Sequence, residues 1–198
     1  MDHTELQLRN ASDDDVEPLA DIIEEVSDGI VSELFDDVFP GMSSKEILRL
    51  VIGKNVTPYS LDNMVIAEVN GEIAGLLFAY PGSQQVIPEL MHAFIAAEKI
   101  QSVKGLLTAG TASDLWVNTL WVAPRYRGQG LSELLINYAV NWAAHLELQG
   151  VALHCWADNT RAKAFYFKHN FRQYDAISFG LALMDRHPSG GLLLRREI

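Results

Sequence analysis

Apolar positions recur along the chain with two periods, near 2 and near 3.6, and the switches between them outline the elements. Leu6 and Leu8 sit between polar neighbours and predict a first strand. From Val16 the spacing turns helical, with Leu19, Ile22, Ile23 and Val26 on one stripe, Ser12 or Asp13 as cap and Pro18 in the first turn. Gly29 interrupts that helix, and a second stretch with Ile30, Val31, Leu34, Phe35 and Val38 runs to Pro40. Ser43 or Ser44 caps a short helix through Ile47, Leu48 and Val51. Residues 63–69 and 72–80 predict two strands turned at Asn70-Gly71, the clearest hairpin signal in the chain. Residues 87–107 return to helical spacing and predict one or two helices before a small-residue loop. Residues 115–122 and 151–156 predict strands, each followed by a polar loop and an amphipathic helix. Residues 174–184 and 191–196 predict two last strands joined by a loop. The order implies an α/β fold, a mixed sheet with helices on both faces, in a single domain over residues 1–198.

Residues 120–131 carry the first chemical signal. Apolar Leu120, Trp121 and Val122 end at Ala123-Pro124, because proline has no donor for continued pairing. Arg125, Arg127, Gly128, Gln129 and Gly130 then lead into a helix with Leu131, Leu134, Leu135 and Tyr138 on one side. Glycines at a helix mouth let the free first-turn amides face an anion, and the arginines add mobile positive charge. The loop is neither a dinucleotide fingerprint, since Glu133 stands where the third glycine belongs, nor a Walker A loop, since Gly-Lys-Ser/Thr is missing. A second strand–loop–helix follows at residues 151–171. Asp158, Asn159 and Thr160 start its helix, Ala162, Phe165 and Tyr166 give it an apolar side, and Asn170 ends it. Two parallel strands that splay here leave a groove lined by both loops.

In this order and spacing the two segments resemble the GCN5-related N-acetyltransferase (GNAT) superfamily. The loop Arg125-Tyr126-Arg127-Gly128-Gln129-Gly130 matches its Arg/Gln-x-x-Gly-x-Gly/Ala pattern, after Val122-x-Pro124. Asn159, Ala162, Tyr166 and Asn170-Phe171 match its later pattern, with asparagine in place of a glycine. The resemblance covers roughly residues 115–172. It implies an acyl-CoA N-acyltransferase-like fold with splayed parallel strands, and acetyl-coenzyme A as acyl donor. It places the pyrophosphate on the backbone amides of residues 127–131, with Arg125 and Arg127 as supplements. It sets the pantetheine arm against backbone groups of Leu120 and Val122. It puts Tyr166 beside the coenzyme A sulfur as proton donor, although a core aromatic between Phe165 and Phe167 fits the same letters. Asn159 either contacts the donor or only caps its helix.

The base stays open. Relatives carry a glutamate where this chain has Asn118, and an amide is no base at neutral pH. Asn118 can orient a water or the amine. Asp114 is the nearest carboxylate in sequence and can act through water; otherwise the amine loses its proton to solvent. Glu25 or Glu33 can bind the acceptor, and Trp116, Trp121 and Tyr59 can line its pocket or the core. A donor-sensing module without catalysis fits the missing glutamate, and a protein or peptide acceptor competes with a small-molecule amine.

Composition narrows the partners. A net charge of −11 argues against a nucleic-acid partner and suits a cationic amine. No apolar run is long enough for a membrane span, and the first ten residues have no signal-peptide core. The six histidines form no metal-binding spacing and the single Cys155 no thiolate cluster, so no metal is expected. Cys155 reads as a small buried hydrophobe. The expectation is a cytoplasmic monomer or homodimer.

Overall fold

The computed structural model describes residues 5–198, with Leu90 described by its backbone alone. Histidine 3 and the start of the N-terminal segment read above lie outside these residues. The chain runs β1 (Leu6–Asn10), α1 (Val16–Ser27), α2 (Ile30–Phe35), α3 (Ser44–Gly53), β2 (Met64–Val69) and β3 (Glu72–Pro81). There follow α4 (Glu89–Phe94), α5 (Ala97–Leu107), β4 (Asp114–Val122), α6 (Leu131–His145), β5 (Gly150–Trp156) and α7 (Thr160–Lys168). The chain closes with β6 (Arg172–Ile177), α8 (Leu181–Arg186) and β7 (Gly191–Glu197).

Local chemistry sets many boundaries. The α1 helix ends where Asp28 and Gly29 both turn left-handed, at φ of 46° and 105°. Ser43 caps α3 in a reciprocal box with Glu46: the Glu46 amide donates to Ser43 Oγ at 3.3 Å and the Ser43 amide donates to the Glu46 carboxylate at 2.7 Å. Asn70 and Gly71, at φ of 51° and 80°, make the tight turn between β2 and β3. Asn170 takes φ 67° after α7, the left-handed role usually filled by glycine.

One expectation fails. Residues 174–184 do not form a strand throughout. β6 stops at Ile177, and residues 181–186 turn into α8. The cause is a close approach. The Gly180 amide donates to Ser102 O at 2.9 Å, and a Cβ on Gly180 would lie 2.5 Å from the Ser102 Cβ. The chain is thereby pinned to α5 and leaves the sheet, and Leu183 is buried while Leu181 is exposed.

The seven strands form one sheet in the order β1-β2-β3-β4-β5-β7-β6. Every neighbouring pair is antiparallel except β4 and β5. Each face carries its own core. On one, α1, α2, α3 and α5 pack over Ile66, Phe78, Tyr80 and Trp116. On the other, α6 packs over Val65, Leu77, Leu115 and Val151, with Tyr166 and Phe171.

β4 and β5 are paired only from Asp114↔Gly150 to Val117↔Leu153, and past that point they part. The register of β4 against β3 slips at the same place: Phe78 faces Thr119 and Ala79 faces Val117, so Asn118 is the extra residue of a β-bulge. The slip changes the alternation. Leu115 and Val117, then Leu120 and Val122, join one core, whereas Trp116 and Trp121 join the other. Asn118 and Thr119 therefore stand side by side on the α1–α2 face, at the point where the sheet splits.

Candidate active site

The split sheet holds two cavities. The first, about 220 Å³, lies on the α1–α2 face, walled by Leu34 and Phe35, the segment from Gln85 to Leu107, and Trp116 and Asn118 of β4. The second, about 620 Å³, follows the opened edge of β4 to the mouth of α6 and along α7. They meet at Val26, Leu120, Trp156, Asn159, Ala162 and Tyr166, which line both.

The second cavity reaches the positive end of a helix. Gly128 and Gly130 adopt φ of 77° and 86°, and α6 starts with no side chain capping it. The amides of residues 128–133 have no acceptor among the described residues, so six donors face outward at a fifteen-residue helix's positive end. A Cβ on Gly128 or Gly130 would meet nothing within 4 Å, so space above the loop is open. Trp121, which lines this cavity, has a buried Nε1 donor without a partner. Open space, free donors and an unpaired strand edge fit the pyrophosphate and pantetheine arm of acetyl-coenzyme A.

Not every expected donor contact has this geometry. The Arg127 amide already donates to Pro124 O at 3.3 Å, so the free run begins at Gly128. Arg127 lines the cavity, with its Nε held by Val122 O at 2.9 Å. Arg125 lines neither cavity; its guanidinium pairs with Glu72 and lies over the Tyr126 ring. Gln129 braces the loop by donating to Arg125 O at 2.8 Å, and the Leu131 side chain is in the core. Gly130, Val122 and Leu120 line the groove. The residues missed by sequence reading are Arg161 and Lys168, whose positive charges lie along the same wall. Their signal was present: Arg161, Phe165 and Lys168 recur at helical spacing on α7.

Tyr166 stands at the junction. It is buried, and burial together with the neighbouring Cys155 pushes its phenol above the ordinary range, so it keeps its proton. Its hydroxyl makes no hydrogen bond among the described residues. Asn159 caps α7, its Oδ1 accepting from the Ala162 amide at 3.0 Å. Its side-chain nitrogen is left over for the groove. Cys155 is buried and lines the first cavity, its thiol raised to about 11 by burial.

Asn118 and Asp114 separate sharply. Asn118 lines the first cavity, accepts from Thr119 Oγ1 at 3.1 Å and donates to Tyr80 Oη at 3.3 Å. Tyr80 donates to Gln85 Oε1 at 2.5 Å, and Gln85 donates to Leu106 O at 2.7 Å. Tyr80 and Gln85 had no signal in the sequence, since only folding joins their segments. Asp114 sits at the far, paired end of β4, 1% exposed, and lines neither cavity. Its carboxylate takes two hydrogen bonds from Arg195 at 2.9 Å and one from Thr111 at 2.6 Å. Asp114 is a structural anchor of the sheet, which corrects its reading as a base. Trp116 and Tyr59 line the first cavity and Trp121 the second; Glu25 lines the second and Glu33 neither. Among the described residues, no helix is long and apolar enough to cross a membrane.

Known proteins share this architecture. An N-acetyltransferase from Staphylococcus aureus Mu50 superposes with a TM-score of 0.70 at 18% identity, over 96% of this chain and 99% of that one. The PaiA N-acetyltransferase of Thermoplasma acidophilum, solved in complex with coenzyme A, gives 0.56 at 12% identity, over 98% and 99%. A chimera of the spermidine N-acetyltransferase SpeG from Vibrio cholerae and hSSAT gives 0.57 at 14% identity, over 98% and 96%. No curated protein matches the chain. The model of the acetyltransferase (GNAT) family matches residues 31–171. With that match over most of its length, and the split sheet and donor groove in place, the chain belongs to the GNAT family and is an acetyl-coenzyme A-dependent N-acetyltransferase.

Proposed function

We propose that the enzyme acetylates the primary amine of a small molecule, which enters the first cavity and meets the donor at Tyr166. The observation that carries this is the shape of the acceptor side. It is a walled space of about 220 Å³ between α1–α2 and the segment from Gln85 to Leu107, with room for a small molecule and little for an extended peptide.

Acetyl-coenzyme A supplies an acyl group already activated on a sulfur leaving group. The chain's own groups do the rest. The amides of residues 128–133, with Arg127 beside them, hold the pyrophosphate. The unpaired edge of β4 past Val117, through Leu120 and Val122, takes the pantetheine as an added strand. Asn118 orients the amine, or a water beside it, from its place on the bulge. The amine nitrogen bonds to the acetyl carbon and releases its proton to water beside Asn118, the carbon–sulfur bond breaks, and Tyr166 gives its proton to the departing sulfur and regains one from solvent. The proposal extends to one catalytic domain over residues 1–198 acting in the cytoplasm. Its support is a sheet whose strands come from both ends of the chain, and a lone cysteine that is buried.

A spectrophotometric thiol-release screen tests the reading, with small primary amines set against peptides bearing free N-termini and lysines. Small amines are expected to turn over. Turnover of peptides alone overturns the proposal.

A further inference from the structure

The charge of the acceptor cavity differs from the charge of the protein. The chain carries −11, yet among the described residues no Asp, Glu, Lys or Arg lines the first cavity. We infer, building on the small-molecule reading above, that the acceptor is an uncharged amine on a compact apolar body, bound as its free base, and not a polycation.

Three observations carry this. The first is the lining. Ile23, Leu34, Phe35, Leu106, Tyr59 and Trp116 supply apolar and aromatic walls. A protonated amine entering here would leave water and find no opposite charge, which disfavours the charged form. The second is that the titratable groups facing the cavity are themselves neutral near pH 7. Burial raises the phenols of Tyr59, Tyr80 and Tyr166 and lifts the Cys155 thiol to about 11, and it lowers the His154 imidazole to about 4. The third is that the polar groups offer no negative charge. Asn118, Tyr80 and Gln85 form a hydrogen-bonded chain that ends on the Leu106 carbonyl and contains no carboxylate. Size agrees: an apolar cavity of about 150 Å³ takes benzene, so 220 Å³ takes one ring and a short arm.

The charged groups nearby belong to the donor side. Glu25, Asp28, Arg127, Glu133, Arg161 and Lys168 line the second cavity, together with His169. Asp28 is occupied by Arg186 at 3.3 Å and His187 at 3.2 Å. Glu133 stands in the first turn of α6, whereas Glu25 adjoins Val26, which lines both cavities; Glu25 is thus the carboxylate through which a cation could be drawn to the junction, and it serves as the control.

The test is kcat/KM by thiol release with an aryl amine, phenethylamine, spermidine and an aminoglycoside, across about pH 6 to 9, in the wild type and in Glu25→Gln. An aryl amine, already neutral, is expected to give a flat profile. Phenethylamine is expected to gain about tenfold per pH unit, following the fraction of its free base. Spermidine is expected to be slower than the aryl amine by about 100-fold, and Glu25→Gln to leave these rankings unchanged. Spermidine or the aminoglycoside as best acceptor overturns the inference while the small-molecule reading stands. So does a Glu25→Gln variant that loses phenethylamine turnover while keeping that of the aryl amine. Turnover of peptides alone sinks the small-molecule reading itself. Calorimetry in the presence of coenzyme A, comparing choline with its neutral carbon isostere, reads the preference without turnover. Tighter choline overturns the inference, and tighter isostere supports it.

Discussion

The side-chain amide of Asn118 donates to the hydroxyl of Tyr80 across 3.3 Å, joining the bulge of β4 to the neighbouring strand β3 inside the acceptor cavity. Tyr80 passes the chain on to Gln85, so the bulge, β3 and the segment after β3 are braced together. Tyr80→Phe removes the middle link and leaves the buried Gln85 acceptor and the Asn118 donor each short of a partner. Stability is expected to fall by about 1–3 kcal/mol, and the KM for the amine to rise. The Kd for acetyl-coenzyme A is expected to hold, because Tyr80 does not line the donor cavity. Thermal unfolding and calorimetry on the one variant check both halves. A weakened donor Kd would show that the brace reaches further than the acceptor side.

Tyr166→Phe keeps the ring and its packing but removes the proton offered to sulfur. Turnover is expected to fall by about 100-fold. Because the hydroxyl has no hydrogen bond to lose within the described protein, stability and donor affinity are expected to change little. Full activity in this variant would take Tyr166 out of the chemistry.

Gly128→Glu puts a carboxylate where the free amides converge, on a backbone at φ 77° that a side chain adopts at a cost of about 1–2 kcal/mol. Donor binding by calorimetry is expected to vanish in the folded variant. Gly128→Ala carries the conformational cost alone, since its Cβ meets nothing, and is expected to bind with intermediate affinity. Unchanged affinity in both would place the pyrophosphate elsewhere.

Asp15 is the clearest pH-dependent element of the fold. Arg9 donates to both of its oxygens, at 2.7 and 2.9 Å, and with the Ser12 amide at 2.8 Å holds its carboxyl down to about 2. A carboxylate with a lowered folded pKa stabilises above its unfolded value near 4 and loses that contribution as pH falls towards 2. Asp15→Asn is expected to cost about 2 kcal/mol at pH 7 and progressively less between about pH 4 and 2. Urea unfolding of both proteins at pH 7 and pH 3 gives the difference. An equal cost at the two pH values would show that the charge is not what stabilises.

The donor half was legible because it is local. Val122 through Leu131 and Asn159 through Phe171 each place loop, cap and helix within one short stretch, and backbone preference decides most of that geometry. The acceptor half was not. Phe35, Tyr59, Tyr80, Gln85 and Trp116 come from separate segments, and only the packed sheet brings them to one space. Asp114 misled for the same reason: its nearness in sequence to Asn118 says nothing about Arg195, which reaches it from the last strand. Arg125 misled because a loop position does not specify where a long side chain goes, and Glu72 claims it. The bulge left a readable trace in Asn118-Thr119, two polar residues in succession within an apolar strand, and that pair marks the split. The strand expected over 174–184 ended early through the approach of Gly180 to Ser102, a contact between distant segments.

β3 and β4 are direct antiparallel neighbours, Pro81 opposite Leu115, and would need only a tight turn to join them. The chain instead makes an excursion over residues 82–113, closed at its base where a Cβ on Gly82 would collide with the Thr111 carbonyl and one on Gly110 with Gln85. That excursion lends several residues to the acceptor cavity and none to the donor cavity. On the proposed assignment, one wall of the acceptor cavity is thus carried on a piece of chain that takes no part in the donor side. An exchange of one contiguous segment, cut at a pinched neck, would let a lineage try new acceptors while the machinery that holds coenzyme A passes through unaltered.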